Sequence, residues 1–438
     1  MQVENDISIS SLGPACPVGR DRGKAIIIGG GIIGLSSALY LRKSGWDVTV
    51  IDKGDFLDNC SYGNAGYICP SHFIPLATPG IVKKGFKWMW NSKSPFYVQP
   101  RLDWNLISWG MKFIRSANAK QVENAAIPLR DIALISKQEY ESWTKIPGFD
   151  FAYENKGLLE IFQTPEAAAH AHHTLEKAHQ LGLTDTVLLN KEELNKLEPQ
   201  TRINGAGALF FMGDAHCYPN KLMTDLLNHL KNEGVQLISN NEVVKFETNN
   251  GKIKRVITTT NSFEADEVVI ATGSWGWETV KLLGIKIPLI PGRGYSITLE
   301  DSPFRVNYPA VLVEGRVAIT PMDGNKIRFG GTMEITSHKT PPCMNRVKGI
   351  LDAVKRYYPE FDVPLPTKEN VWYGYRPCSA DGLPYIGRVK NITNLTIATG
   401  HAMLGLSLGA GTGKLVNEVV NNLPTTMDIK PFAVERFS

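Results

Sequence analysis

Between residues 25 and 52 the chain reads AIIIGGGIIGLSSALYLRKSGWDVTVID. An apolar run ends in three glycines, apolar positions then recur at helical spacing, and a second apolar run closes on Asp52. Short apolar runs bounded by glycine predict buried parallel strands, and the stretch between them predicts an amphipathic helix. The signature returns twice. EVVIATGSWG at 267–276 predicts a buried strand opening into a small-residue turn. NLTIATGHAMLGLSLGAGTGKLVNEVV at 394–420 predicts a strand, a glycine-rich turn and a helix.

Between these landmarks the pattern changes. Residues 112–145 carry helical periodicity. GLLEIFQTPEAAAHAHHTLEKAHQLG at 157–182 predicts a strand and then a helix opened by Thr-Pro, and KEELNKLEP predicts a short helix stopped by Pro199. A helix from Pro219 leads into strands around TNNGK, an Asn-Gly turn signal. Residues 286–366 alternate in the manner of strands. Nucleotide-type βα turns at the start, middle and end predict one domain assembled from 24–85, 185–285 and 368–438. A sheet-rich second domain is predicted from 86–184 and 286–367, after a loose polar lead-in at 1–23. The fold class is α/β (α+β overall), a Rossmann-like domain with a second, mixed-sheet domain.

Bulk properties narrow the classes. A length of 438 residues suits about two domains, and 43% apolar with 21% charged residues suits a globular enzyme. A net charge of +4 calls for neither a nucleic acid nor an anionic membrane as an obligatory partner. Cys16, Cys60, Cys69, Cys217, Cys343 and Cys378 form no C-x-x-C pair, which argues against a zinc or thioredoxin-like site and for a reducing compartment. No apolar stretch reaches the 18 residues of a spanning helix, and the lead-in lacks a signal-peptide core. The expected location is the cytoplasm, with at most peripheral contact at the inner face of the membrane.

The glycines carry the first chemistry. G-x-G-x-x-G falls on Gly29, Gly31 and Gly34. The first allows the tight turn, the second lets backbone approach a pyrophosphate, and the third lets helix and strand pack closely. The helix N-terminus then faces the phosphates. Asp52, with Lys53 beside it, lies where a carboxylate accepts from ribose hydroxyls, which disfavours a 2′-phosphate. In CSYGNAGYICPS, Ser61, Asn64, Ala65 and Gly66 form either a cofactor-wrapping loop or an ordinary surface loop. Ala271, Thr272, Gly273 and Trp275 make a second small-residue turn, which a nicotinamide site does not need and a large flavin spanning the sheet does. Arg376, in GYRPCSADGLPYIG, suits capture of a carboxylate, or else a structural pair with Asp381.

Taken together, these motifs make the chain resemble the FAD-dependent D-amino acid oxidase and glycine oxidase family, and within it the bacterial D-amino acid dehydrogenase branch. The resemblance rests on IIIGGGIIG…VID, SYGNAGYICPS…PLATPG, ATGSW, GYRPCSADGLPYIG and TGHAMLGLSLGAGTG. It implies a Rossmann-like FAD-binding domain and a substrate domain. It places Gly29, Gly31 and Gly34 at the pyrophosphate, Asp52 at the ribose, and Ser61, Asn64, Ala65 and Gly66 along the flavin. Val243 is implied at the adenine, with Ala271, Thr272 and Gly273 closing over the cofactor. Met403, Leu404, Gly405 and Leu406 are implied near the isoalloxazine, and Arg376 at the substrate carboxylate. Two departures stand out. Family oxidases often carry a substrate tyrosine in the strand matching RVAITP (316–321), and this chain has none there. Cys378 misses the position used for covalent flavin in some relatives, so FAD is expected to be non-covalent.

The resemblance implies oxidation of the CH–NH bond of a small D-amino or cyclic imino acid, D-proline or hydroxyproline-like. A quinone or electron-transfer chain is the expected acceptor. The alternatives are an oxidase of glycine or sarcosine using O₂, and a non-catalytic flavoprotein. His72 and His401 are candidates for deprotonating the amine or holding the flavin, and each also reads as a structural histidine. Arg293 and Tyr295 in PGRGYS are expected on the substrate side. AHAHH (169–173) has no acidic or cysteine partners and reads as a solvated helix face, so no metal is expected. The Trp-rich stretch 88–109 reads as a membrane-surface patch or, more simply, as packing between domains.

Overall fold

A computed structural model of the chain describes residues 22–80 and 93–437. Cys16, most of the 1–23 lead-in and the first tryptophans of the 88–109 stretch lie outside the described residues.

The opening strand, helix and strand form where the sequence places them, but the helix is buried on nearly every side, from Ile32 to Leu39 and at Leu41, rather than amphipathic. Strand Lys24–Ile28 runs parallel to Asp47–Ile51 on one side and to Glu267–Ile270 on the other, and helix Ile32–Lys43 bridges the first pair. Gln236–Ile238 extends one edge, and the hairpin Ile392–Thr399 with Tyr385–Val389 completes a six-stranded sheet at the other. Alternation along the first strand then decides the layers. Ala25 and Ile27 point into a core with helices Ile32–Lys43, Pro219–Asn232 and Gly409–Val420. Ile26 and Ile28 point to the opposite face, against Phe246, Ile253 and Val256 of a three-stranded antiparallel sheet. The Asn-Gly signal turns that sheet, with Asn250 and Gly251 at positive φ of 50° and 68° between strands Val243–Asn249 and Lys252–Thr258.

The second unit is a larger mixed sheet. Its strands run in the order Trp372–Ser379, Leu289–Leu299, Ile327–Ile335, Val317–Pro321, Ala310–Leu312, Leu158–Phe162, Gly207–Phe211 and Thr186–Asn190, and Phe96–Val98 pairs with Ile327–Ile335. This changes the boundaries expected from sequence. Strands Thr186–Asn190 and Gly207–Phe211, and strand Trp372–Ser379, fall in segments assigned to the cofactor domain, yet they hydrogen-bond into the larger sheet. Short strands carry no mark of the sheet they will join, because pairing is a long-range choice.

Residues 286–366 also hold a helix that the strand-like alternation conceals, Met344–Tyr357. Val347, Ile350, Val354 and Tyr357 bury its inner face against the sheet. The helical run at 112–145 resolves into Trp104–Ser116 and Ala119–Trp143, separated where Asn118 caps the second helix by accepting from Gln121 N–H at 3.0 Å. No helix among the described residues is long and apolar enough to cross a membrane.

Candidate functional site

The first glycine turn is built for close backbone contact. Gly29 has φ +113°, and a Cβ there would collide with the carbonyl oxygen of Ala271. A Cβ on Gly34 would collide with the carbonyl oxygen of Gly29. The first and second small-residue turns therefore touch, and Ala271 N–H donates to Ile28 O at 2.8 Å. The helix starting at Ile32 has no side-chain cap from its N-cap residue and no acid in its first turn. Ser61 Oγ accepts from Ile32 N–H at 3.0 Å, and Gly31 keeps open space beside it. Free N–H groups and the helix dipole make this end an anion site, and glycines hold the backbone open for a pyrophosphate.

Asp52 sits at the end of its strand. Its carboxylate accepts from Gly30 N–H at 2.6 Å and Gly54 N–H at 2.7 Å, which fixes it beside the glycine turn. Asn241 N–H donates to Asp52 O at 2.9 Å, so the segment entering Val243 is pinned to the same strand end. Lys53 Nζ lies 3.6 Å from the centroid of the Trp275 ring, and burial pulls this amine below its usual range. Trp275 stacks on His338 with centroids 4.4 Å apart and planes 9° apart, and Tyr375 packs edge-on to His338. Thr399 Oγ1 donates to Gly273 O at 2.8 Å, tying the third βα turn to the second. Asp52, Gly29 and the Ala271–Trp275 turn thus gather at the carboxyl ends of neighbouring parallel strands.

The loop after Asp52 is no ordinary surface loop, because it is stitched between the two units. Asn64 Oδ1 accepts from Gly66 N–H at 2.9 Å, Thr320 Oγ1 donates to Ala65 O at 2.7 Å, and Gly66 O accepts from Cys217 N–H at 2.9 Å. Arg328 does most of this work. Buried on strand Ile327–Ile335, it donates to Tyr62 O at 2.8 Å, Asn64 O at 2.7 Å and Asn220 Oδ1 at 3.0 Å. Nothing local in the sequence marks it, since its partners lie more than 100 residues away. Arg328→Ala leaves two buried carbonyls without donors, at about 1–3 kcal/mol each. The expected result is a lower melting temperature and flavin lost on dialysis, both read from the visible flavin absorbance.

Arg376 stands on the strand that adjoins this loop: Tyr375 N–H donates to Cys60 Sγ at 3.2 Å. It faces Gly292 across the ladder, and a Cβ on Gly294 would strike its guanidinium. Glycine there gives the guanidinium room. The structural pairing with Asp381 does not form, because Asp381 is held by Arg436 at 2.7 and 2.9 Å. Arg376 donates to Thr332 O and reaches Met333 Sδ at 4.0 Å, and among the described residues no carboxylate lies within ion-pair distance of it. Burial lowers its pKa, partly offset by the thiols of Cys378 and Cys60. An arginine nonetheless stays charged, so an unpaired guanidinium here is poised for an anion.

The neighbouring Arg293 and Tyr295 are otherwise engaged. Arg293 pairs with Glu334 at 2.8 Å and donates to Thr340 O and Pro341 O, and the Tyr295 hydroxyl donates to Glu334 at 2.6 Å while accepting from Cys343 N–H at 2.7 Å. Arg346 completes this buried group from the other side of Glu334 at 2.7 Å. The geometry makes Arg293 and Tyr295 supports of the sheet that carries Arg376. Tyr67, from the loop after Asp52, supplies a phenol to the strand where the sequence has no tyrosine: its hydroxyl donates to Ala310 O at 2.7 Å and lies 3.2 Å from Ile319 O.

His401 is buried and its Nε2 bonds to Thr412 Oγ1 at 3.0 Å, and burial pulls its pKa to about 3. His72 is pulled to about 4 by burial, and its Nδ1 has no partner. It lies with Cys69 and Asp214 in a group whose ligand-type atoms are within 4.8 Å of one another, and Ser71 donates to both Asp214 oxygens, at 3.2 and 2.5 Å. Both imidazoles are neutral at physiological pH, acceptors or donors rather than charges. Met403 is half-exposed beside Leu404 and Gly405, whereas Leu406 is buried with its carbonyl taken by Tyr140 at 2.7 Å. The histidines of AHAHH are exposed on helix Pro165–Gln180. Cys378 is buried and free, its Sγ 3.9 Å from Met333 Sδ.

Comparison with known proteins agrees with this geometry. The family model described as "FAD dependent oxidoreductase" (DAO) matches residues 24–419. A D-amino acid dehydrogenase of Vibrio atlanticus is 30% identical over 424 residues, covering 94% of this chain and 100% of the relative. One from Helicobacter pylori is 29% identical over 395 residues, covering 90% of this chain and 93% of the relative. Among solved structures, glycine oxidase from Geobacillus kaustophilus superposes with a TM-score of 0.74 at 23% identity, covering 94% of this chain and 98% of that one. L-proline dehydrogenase from P. horikoshii gives 0.72 at 20% identity, covering 96% and 98%. The glycine turn, the helix end that lacks an N-cap side chain, and Asp52 fit the cofactor this family binds.

Proposed function

The chain belongs to the FAD-dependent oxidoreductase family, and on that premise we propose that it oxidises the CH–NH bond of a small D-amino acid or a cyclic imino acid of the D-proline or hydroxyproline kind. The observation that carries the reading is Arg376, a half-buried guanidinium with no protein carboxylate beside it among the described residues, next to the loop that lines the flavin side. The names of the curated relatives support the substrate class. FAD, when bound, supplies the hydride acceptor. The helix starting at Ile32 would hold its pyrophosphate, and Asp52 its ribose hydroxyls.

The protein's part is positioning. Arg376 fixes the substrate carboxylate with two parallel N–H bonds, which sets the α-carbon in one orientation. Arg328 keeps the loop at 61–66 in place opposite it. The substrate amine must be neutral for its lone pair to drive hydride from the α-carbon, and loss of its proton to water serves this. No strong protein base is required. The imine product hydrolyses to a 2-oxo acid, or persists where it is cyclic. FAD is held without a covalent bond in this reading, and a quinone or electron-transfer chain takes the electrons.

The test is an anaerobic titration of the purified protein with D-amino acids, L-amino acids, N-methyl glycines and hydroxyproline isomers, following the visible flavin band. Bleaching by a D- or cyclic substrate supports the proposal, and slow recovery in air without peroxide supports a dehydrogenase. Fast recovery with peroxide makes it an oxidase. A band that nothing on the panel bleaches overturns the substrate assignment.

A further inference from the structure

Strands Tyr67–Ile68 and Ala215–His216 pair antiparallel, Tyr67 with His216 and Ile68 with Ala215. The next step of that register sets Cys69 opposite Asp214. Pro70 and Ser71 then turn the chain, and His72 N–H donates back to Cys69 O at 3.2 Å. Proline suits the second position of such a turn, because its φ is already set. The turn folds the C-x-x-H spacing of Cys69 and His72 over the Asp214 carboxylate. A thiol, an imidazole and a carboxylate thereby bring their ligand-type atoms within 4.8 Å of one another. C-x-x-H carries little signal by itself in the sequence, since 143 residues separate Ser71 from Asp214.

The three side chains are held in place, and one of them lacks a partner. Ser71 N–H and Oγ donate to the two oxygens of Asp214, which fixes the carboxylate and leaves lone pairs on both. Cys69 N–H donates to Ser407 Oγ at 2.9 Å, just past the Met403–Leu406 turn, and its thiol hydrogen-bonds to Asp214. The Tyr67 ring lies along the His72 ring, with centroids 6.3 Å apart and planes at 25°. His72 Nδ1 is enclosed and bonds to nothing. A buried ring nitrogen without a partner costs free energy until a donor or an ion meets it. Charge adds a second reason. Cys69 and Asp214 are each 1% exposed, and among the described residues no lysine or arginine pairs with Asp214. The charged forms of two enclosed acids therefore lack a counter-ion. Thiolate, neutral imidazole and carboxylate carry two negative charges in all, which match one divalent cation. His72 is the half-buried member of the group, which leaves an ion a way in.

We propose that Cys69, His72 and Asp214 form a binding site for Zn²⁺, with water in the fourth position. Thiolate and imidazole together select zinc over magnesium and calcium, which take oxygen ligands. Three protein ligands and a water make a tetrahedral set of the open kind. Binding expels the thiol proton to solvent. Asp214 follows strand Gly207–Phe211, so the ion clamps the segment leaving the 61–66 loop to the larger sheet. The site does not depend on which amino acid is oxidised.

The experiment is calorimetric titration of Zn²⁺ alone into the flavin-loaded full chain, washed with chelator and kept reduced, beside the same titration with Mg²⁺. Wild type is expected to take up one Zn²⁺ per chain and no Mg²⁺, and to melt at a higher temperature with zinc than without it. Cys69→Ser and His72→Gln are each expected to weaken zinc binding by about tenfold or more. Co²⁺ in place of Zn²⁺ is expected to give a thiolate-to-cobalt charge-transfer band in difference spectra, lost in Cys69→Ser. Cys343→Ser and His170→Gln/His173→Gln are expected to bind zinc as wild type does. Failure of wild type to take up zinc overturns the proposal, as does uptake that Cys69→Ser and His72→Gln leave unchanged. Uptake abolished by His170→Gln/His173→Gln also overturns it, and places the ion on the exposed face of helix Pro165–Gln180.

Discussion

Arg376→Ala lowers kcat/KM by about 10²–10³-fold, the scale of 2–5 kcal/mol for losing one side of a desolvated charge contact. The loss falls chiefly on KM, because the carboxylate is bound in the ground state and remains bound as the hydride leaves. Other arginines in the structure show why this one is singled out. Arg293 and Arg346 share Glu334, Arg388 pairs with Glu267, and Arg436 holds Asp381 through two bonds. Arg328 spends its donors on carbonyl, amide and hydroxyl oxygens. Arg376 spends little, one carbonyl oxygen and a distant thioether, out of five N–H donors.

Two controls separate binding from folding. Removing the guanidinium frees the Thr332 carbonyl, a stability cost of about 1–3 kcal/mol that a melting curve detects. Arg376→Lys keeps a charge near the site but loses the planar fork, so it is expected to recover only part of the KM loss. Benzoate and similar small carboxylates, which perturb the flavin spectrum when they bind beside it, should do so in wild type and fail in Arg376→Ala. An unchanged KM in a folded, yellow Arg376→Ala would remove the carboxylate role and leave the fold as the firmer conclusion.

How much of this was legible in the sequence depended on how local each cause is. The βα turns were legible because glycine, apolar runs and helix periodicity all lie within about thirty residues of one another. The Thr164 cap and the Asn250–Gly251 turn were legible for the same reason, each being a contact between near neighbours. The domain boundaries were not. Strand Gly207–Phe211 reads GALFF, which suits the buried interior of either sheet, and only its pairing with Leu158–Phe162 decides. Arg328 and His338 were invisible because their partners are chosen by the tertiary fold. The two readings of Arg376 could not be separated from sequence either, since Asp381 is five residues away and plausible until Arg436 is seen to occupy it.

The glycine turn offers the other large effect, and its two inner glycines should behave differently. A Cβ on Gly34 meets the carbonyl oxygen of Gly29, which is backbone and cannot swing aside. Gly34→Ala must part helix Ile32–Lys43 from strand Lys24–Ile28, at about 1–3 kcal/mol or more, so a lower melting temperature and colourless protein are expected together. Gly31 is different. It has φ −78°, and the nearest heavy atom to a Cβ is Ser61 Oγ at 3.5 Å, an ordinary contact. Gly31→Ala therefore folds as wild type does, and the melting temperature of the flavin-free protein is unchanged. The new methyl instead stands in the space where the backbone would face a pyrophosphate, and FAD affinity is expected to fall by about tenfold or more, measured by titrating FAD into the stripped protein. If Gly31→Ala binds FAD as tightly as wild type, the phosphates do not lie on this turn. If Gly34→Ala stays yellow and stable, the close crossing of strand and helix is not what holds the site open.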